Sequence, residues 1–132
     1  MDRRARRVSP RWGGPTGLAR DGAAAGSAVY SWGHSSLRPG QALSAKQGAV
    51  VDTAYDGWGY DLYTASPGVP GDSGSGFLDA QGRALGVLST IAVEPLPLSN
   101  GVGDLAHELA FARGHSAIRG LRLVPGRVAF QP

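Results

Sequence analysis

The chain contains no cysteine, which removes disulfides, thiol catalysis and thiolate metal sites and leaves the redox compartment unreadable from sulfur. It also lacks an apolar run long enough to span a bilayer, so no membrane partner is expected. The basic opening MDRRARRVSP is not followed by the apolar stretch that an export signal needs, and the chain as written carries none. Charge is sparse as well, at 17% of residues against 42% hydrophobic, which is too apolar a balance for a disordered tail. What is abundant is glycine, 21 residues, with 9 prolines, a composition that suits tight turns between strands better than a helical bundle. At 132 residues there is room for one sizeable core and not for two. A single all-β domain is expected.

The formal net charge of +3 is concentrated at the start, where Arg3, Arg4, Arg6, Arg7 and Arg11 fall within the first eleven residues; the remainder is close to neutral. Such an arm can bind phosphates by counterion release, but neither an aromatic platform nor a nucleic-acid fold signature accompanies it. It is read as a solvated terminus, and nucleic acid is not an expected partner. RWGGPTGLARDGAAAGS, residues 11–27, has no hydrophobic period and reads as loop or linker. The organisation that follows is a basic arm and Gly/Ala-rich linker over 1–27, irregular, and a folded domain over 28–132.

Within that domain AVYSWGHSSLR alternates Val29, Ser31 and Gly33 against Tyr30 and Trp32 and breaks at Pro39-Gly40, the pattern of a strand and a turn. GAVVDTAY and YDLYTAS are strand-like runs around DGWG and make a hairpin. GFLDAQGRALGVLSTIAV gives a second hairpin turning at Asp79-Ala80-Gln81-Gly82. Leu105, Ala106, Leu109 and Ala110 form a helical apolar stripe near 104–113, which Gly114 can end. GLRLVPGRVAF alternates again and reads as a final hairpin or edge extension.

The chemically informative stretch is GVPGDSGSGF, residues 68–77. A serine held between Gly-Asp and Gly is what a hydroxyl needs if it must face a carbonyl while backbone N–H groups converge on the developing oxyanion. A nucleophile elbow of the α/β-hydrolase type requires glycine two residues on either side and a helix directly after. Here Gly71 fits, but Ser75 occupies the far position and a hairpin follows. Asp104 and His115 stand in the chain order of such a hydrolase without supplying its local pattern. The plain alternative is a flexible Gly-rich turn with no chemistry.

GDSGSG entering a hairpin, GVLS ending it, and the strand-to-helix stretch NGVGDLAHELAFA close behind resemble the second β-barrel of a chymotrypsin/trypsin-like serine protease of bacterial type, over residues 28–111. The resemblance implies a Greek-key-type β-barrel with one helix. It makes Ser73 the nucleophile, the backbone N–H groups of Gly71 and Ser73 the oxyanion hole, and Asp72 a structural anchor held by a buried pairing. It also implies that Ser89, Thr90 and Ile91 pair with extended substrate backbone and that Gly101 lies on the opposite wall of a specificity pocket. The resemblance places the floor of that pocket near Pro67, with Gly68 and Val69 beside it and no carboxylate to hold a basic side chain, so apolar residues are expected at the cleavage site. The implied substrate is a peptide or protein and the implied location is secreted; no cofactor or metal is involved.

That family takes its base and orienting carboxylate from a first barrel that precedes the serine. Only His34 precedes Ser73, and SWGHSS places it in an exposed turn of the same barrel. Asp52, Asp56 and Asp61 flank GWG with the spacing of neither a calcium loop nor a catalytic aspartate and read as turn or solvated residues. HELAFARGH resembles a zinc helix only superficially, because position 111 is Phe where a second histidine is required; His115 falls past the helix as a surface residue. The expectation is therefore the nucleophile-bearing half of a trypsin-like endopeptidase, inactive without a separate or missing N-terminal barrel. The alternative is a non-catalytic β-barrel module that binds peptides or a protein through the same edge.

Overall fold

The structure, a computed structural model, describes residues 14–33, 35, 44–65, 68–92 and 99–126. Six strands carry the fold: β1 (Ala28–Gly33), β2 (Ser44–Ala54), β3 (Gly59–Thr64), β4 (Gly76–Asp79), β5 (Ala84–Ala92) and β6 (Ser99–Asp104), followed by helix α1 (Leu105–Arg113). All pairings between them are antiparallel, and the sheet closes on itself in the order β1-β2-β3-β6-β5-β4. β4, β1, β2 and β3 are thus consecutive neighbours, the Greek-key order in which a fourth strand returns to lie beside the first. The connection that makes this return, residues 65–75, contains the GDSG sequence. The expected all-β barrel with one short helix is the fold observed.

Period-2 alternation decides which side chains enter the barrel. On β1 Val29, Ser31 and Gly33 point inward and Trp32 outward; on β3 Tyr60, Leu62 and Thr64 are inside and Tyr63 outside. Val50, Phe77, Leu85, Leu88 and Val102 complete the core. Leu62 and Phe77 are fully buried, and burying a side chain of this size contributes about 1.5–3 kcal/mol. The β4–β5 hairpin is organised by Asp79, whose carboxylate accepts from the N–H of Gln81 and of Arg83, both at 2.9 Å, and from Arg83 Nε at 2.7 Å. Asp104 caps α1 by accepting from the His107 N–H at 3.0 Å, and Leu109 is the buried residue of the helix.

Two stretches differ from expectation. Residues 14–27 are irregular, but structure begins within them: Ala19 N–H donates to Ala84 O at 2.9 Å, Ala84 N–H donates to Gly17 O at 2.8 Å, and Ala19 belongs to the core. A one-residue bridge, Leu18 with Ala84, leaves no periodic trace in the sequence. At the other terminus residues 121–126 form no strand, although their alternation suggests one. A closed barrel offers no free edge for a further hairpin; instead Gly126 N–H donates to Pro15 O at 2.9 Å. The basic arm to residue 13 and the end of that expected hairpin, residues 127–132, lie outside the described residues.

Candidate active site

The loop that carries Ser73 is defined on both sides. Asp72 N–H donates to Val69 O and Ser75 N–H to Asp72 O, each at 3.0 Å, which folds the GDSG sequence into successive tight turns. Gly74 N–H donates to Leu88 O at 2.8 Å and Leu88 N–H to Ser75 O at 2.9 Å, clamping the loop to β5. Ser73 is exposed, and no acceptor among the described residues takes the N–H of Gly71 or of Ser73. Of their neighbours, Pro70 has no N–H, and the N–H groups of Asp72 and Gly74 are taken by Val69 O and Leu88 O. The arrangement leaves two free donors and one hydroxyl at an exposed turn, the inventory required to hold and attack a polarised carbonyl.

Gly71 has φ +98°, a left-handed backbone that favours glycine, and a Cβ there would stand 2.8 Å from Ser35 Oγ. Beneath the turn lies Asp72, buried, with its carboxylate accepting from Ser35 N–H at 3.0 Å and Val69 N–H at 3.1 Å. Its charged contact is Lys46 Nζ at 3.0 Å from Oδ2, both side chains being inaccessible to solvent. Ser35 also donates from Oγ to Pro70 O at 2.5 Å. The segment just after β1, strand β2 and the loop are thus tied at Asp72, the residue before Ser73.

Ser89, Thr90 and Ile91 are exposed on the last part of β5, where the register against β6 slips at Ser89 between the pairs Leu88 with Val102 and Thr90 with Gly101. Ser89 Oγ donates to Gly101 O at 3.2 Å. β4 pairs with β5 only as far as Val87, and beyond it the described strand pairing of β5 is with β6. Gly68 closes this region through its N–H, which donates to Asn100 Oδ1 at 2.8 Å, while Asn100 Nδ2 donates to Thr64 Oγ1 at 3.0 Å. Ser73, Gly71, Asp72, Ser89, Thr90, Ile91 and Gly101 all belong to this end of the barrel; Pro67 and His34 lie outside the described residues.

The other two histidines are elsewhere. His107 sits in the first turn of α1, stacked on Trp58 with ring centroids 4.0 Å apart and Nδ1 3.1 Å from Gly57 O. His115 lies edge-on to Phe111 at 5.1 Å. Both follow the end of β6 remote from the GDSG loop. That remote end is held by Tyr60, whose hydroxyl donates to Asp104 Oδ2 at 2.5 Å. Burial first, then the hydrogen bond to Asp104 and its charge, push the Tyr60 hydroxyl well above the usual tyrosine range.

Sequence reasoning missed Lys46, Ser35 and Asn100 as site residues. Lys46 had a signal, since it is the chain's single lysine and stands two residues before Gly48 and four before Val50, in the inward register of a strand. Ser35 and Asn100 carried none. The chain matches no known family model and no curated protein.

Proposed function

We propose that this barrel is the nucleophile-bearing half of a trypsin-like serine endopeptidase, hydrolysing peptide bonds through an acyl-enzyme at Ser73. The observation that carries the proposal is the exposed Ser73 hydroxyl on a turn whose Gly71 and Ser73 N–H groups have no acceptor among the described residues, above a buried Asp72–Lys46 pair. In this reading a substrate pairs along the Ser89–Ile91 edge and presents its carbonyl to the two N–H groups. Ser73 Oγ adds to the carbonyl carbon as its proton passes to a histidine, the tetrahedral oxyanion is held by the two donors, and the amine leaves with that proton. Water then repeats the sequence on the ester. His107 and His115 belong to the other end of the barrel, so the base and its carboxylate come from a separate barrel.

The test fuses a His- and Asp-bearing first barrel of a bacterial trypsin-like protease ahead of residue 14. Labelling by a fluorophosphonate probe and peptide hydrolysis, both abolished by Ser73→Ala, are expected; no labelling in a folded fusion overturns the proposal. The second reading, a non-catalytic peptide-binding module, is favoured by the remoteness of His107 and His115 and predicts strand-like peptide binding that Ser73→Ala leaves intact.

A further inference from the structure

At the end of the barrel remote from the GDSG loop, residues 20–23, the β2–β3 turn and the first turns of α1 border a cleft of about 550 Å³. Small-ligand sites span about 300–1,000 Å³. Its walls come from residues with little or no side chain, Gly22, Ala23, Gly57, Gly59, Ala106 and Ala110. Gly22 is required there, since it has φ +68° and a Cβ would stand 2.5 Å from the Tyr60 hydroxyl. The polar groups around this space are mostly acceptors. Asp104 is half-buried; its oxygens accept from the Tyr60 hydroxyl and the His107 N–H, and no cation among the described residues forms an ion pair with it. Asp21 adds an exposed carboxylate, also without an ion pair among the described residues. His107 Nδ1 lies 3.1 Å from Gly57 O, and a carbonyl only accepts, so Nδ1 carries the proton and Nε2 of the neutral ring is an acceptor. Arg20 is the cation of the lining, and two carboxylates against one guanidinium leave negative charge in excess.

We propose that this cleft binds an organic cation bearing N–H donors, an ammonium or guanidinium group, with Asp104 and Asp21 as its counter-charges and His107 Nε2 as a further acceptor. A bare metal ion does not fit, because no three His, Asp or Glu side chains among the described residues gather closely enough to hold one. An organic cation needs no such convergence: it offers several donors to separate acceptors, and its carbon chain can lie against the small-residue walls. Asp104 is the stronger of the two anchors, since solvent screens the exposed Asp21 more. The site is independent of the chemistry proposed at Ser73. The same cationic group can arrive on a free small molecule or as the Arg or Lys side chain of a peptide, and the test separates the two.

The full ¹⁵N-labelled chain is titrated with cadaverine, with agmatine, with an acetylated and amidated Gly-Arg-Gly peptide, and with the same peptide carrying neutral citrulline in place of arginine. The amide signals of residues 20–23, 57–59 and 104–110 are followed beside those of residues 71–75 at the other end. The arginine peptide should bind about tenfold or more tighter than the citrulline peptide, the scale of a hydrogen bond to a charged group, with shifts confined to the first set of amides. Tighter binding of cadaverine or agmatine than of the arginine peptide assigns a free small molecule, and the reverse assigns a basic side chain; either supports the site. Asp21→Asn should weaken binding about two- to fivefold, the scale of an exposed ion pair. Ala110→Trp, which fills the cleft without touching its charges, should abolish it. Both substitutions fall on exposed residues, and retained amide dispersion checks their folding. Should Ala110→Trp lose that dispersion, the Asp21→Asn and citrulline comparisons decide alone. Equal binding of the arginine and citrulline peptides, shifts centred on residues 71–75, undiminished binding by a folded Ala110→Trp, or no binding of any of the four compounds overturns the proposal.

Discussion

Lys46 Nζ stands 3.0 Å from Asp72 Oδ2 with both side chains fully buried, joining strand β2 to the turn that presents Ser73. Removing two charges from water costs several kcal/mol per ion, and their attraction offsets this only with good geometry and further hydrogen bonds. Asp72 has those bonds, from Ser35 and Val69 N–H. The pair therefore fixes where the turn sits more than it adds to stability.

Breaking the pair from one side should be far worse than removing it whole. Lys46→Met leaves an uncompensated buried carboxylate and is expected to cost about 3–5 kcal/mol, and Asp72→Asn should cost a comparable amount. The double variant should be markedly more stable than the sum of the two losses predicts. Denaturant unfolding of the four proteins checks this, and simple additivity would refute the coupling.

How much of this was legible in the sequence follows from the range of each signal. Alternation along β1 and β3 and the turn residues between strands are local, so the barrel class and the hairpins could be read directly. The segment 14–27 could not, because Ala19 enters the core beside a single bridge from Leu18 to Ala84, sixty-odd residues away, with no period to reveal it. At the site, GDSG announces its own turn chemistry. Its supports do not: Lys46, Ser35 and Asn100 lie 26, 37 and 32 residues from the partners they bind, and only closure of the barrel brings them together. For the expected final hairpin only the first arm is described, and there local alternation at 121–126 was overruled by a barrel that closes without it.

At the other end of the barrel, Tyr60 should give the protein an alkaline instability. Its hydroxyl is held neutral by burial and by donating to Asp104, so the folded state loses the proton at higher pH than the unfolded chain, where tyrosine titrates near about 10. The raised value means that its contribution is complete below about pH 10 and is lost as pH rises beyond it. Tyr60→Phe should cost about 1.5–3 kcal/mol at neutral pH, the range for a hydrogen bond to a charged group. It should also flatten the fall of the unfolding midpoint above about pH 10. An equal alkaline slope in both proteins would count against this assignment.

The arginines at positions 3, 4, 6, 7 and 11 are expected to confer no specific nucleic-acid binding. Electrostatic association with phosphates weakens steeply with salt. Fluorescence anisotropy with single- and double-stranded oligonucleotides should detect only weak, salt-sensitive binding, lost on deleting residues 1–11. A submicromolar, sequence-selective complex at physiological salt would contradict this expectation.

For the isolated chain, the decisive step is removal of the Ser73 proton. A serine hydroxyl is a poor nucleophile at neutral pH unless a base accepts that proton as the new bond forms. The described histidines cannot do so from where they lie, since His107 is stacked on Trp58 and His115 packs edge-on to Phe111 beyond α1. Loss of triad members lowers turnover on the order of 10⁶, while an ordered oxyanion hole alone can retain roughly 10³–10⁴ over water. The clamps from Gly74 to Leu88 and from Leu88 to Ser75 keep the two donors ordered, so carbonyl binding should survive where bond cleavage does not. The purified chain is expected to show no measurable peptidase activity and no fluorophosphonate labelling, since displacement of fluoride from phosphorus needs the same deprotonated Oγ. Labelling that appears in the isolated chain and disappears in Ser73→Ala would refute this, and substituting His34, His107 and His115 in turn would then identify the base.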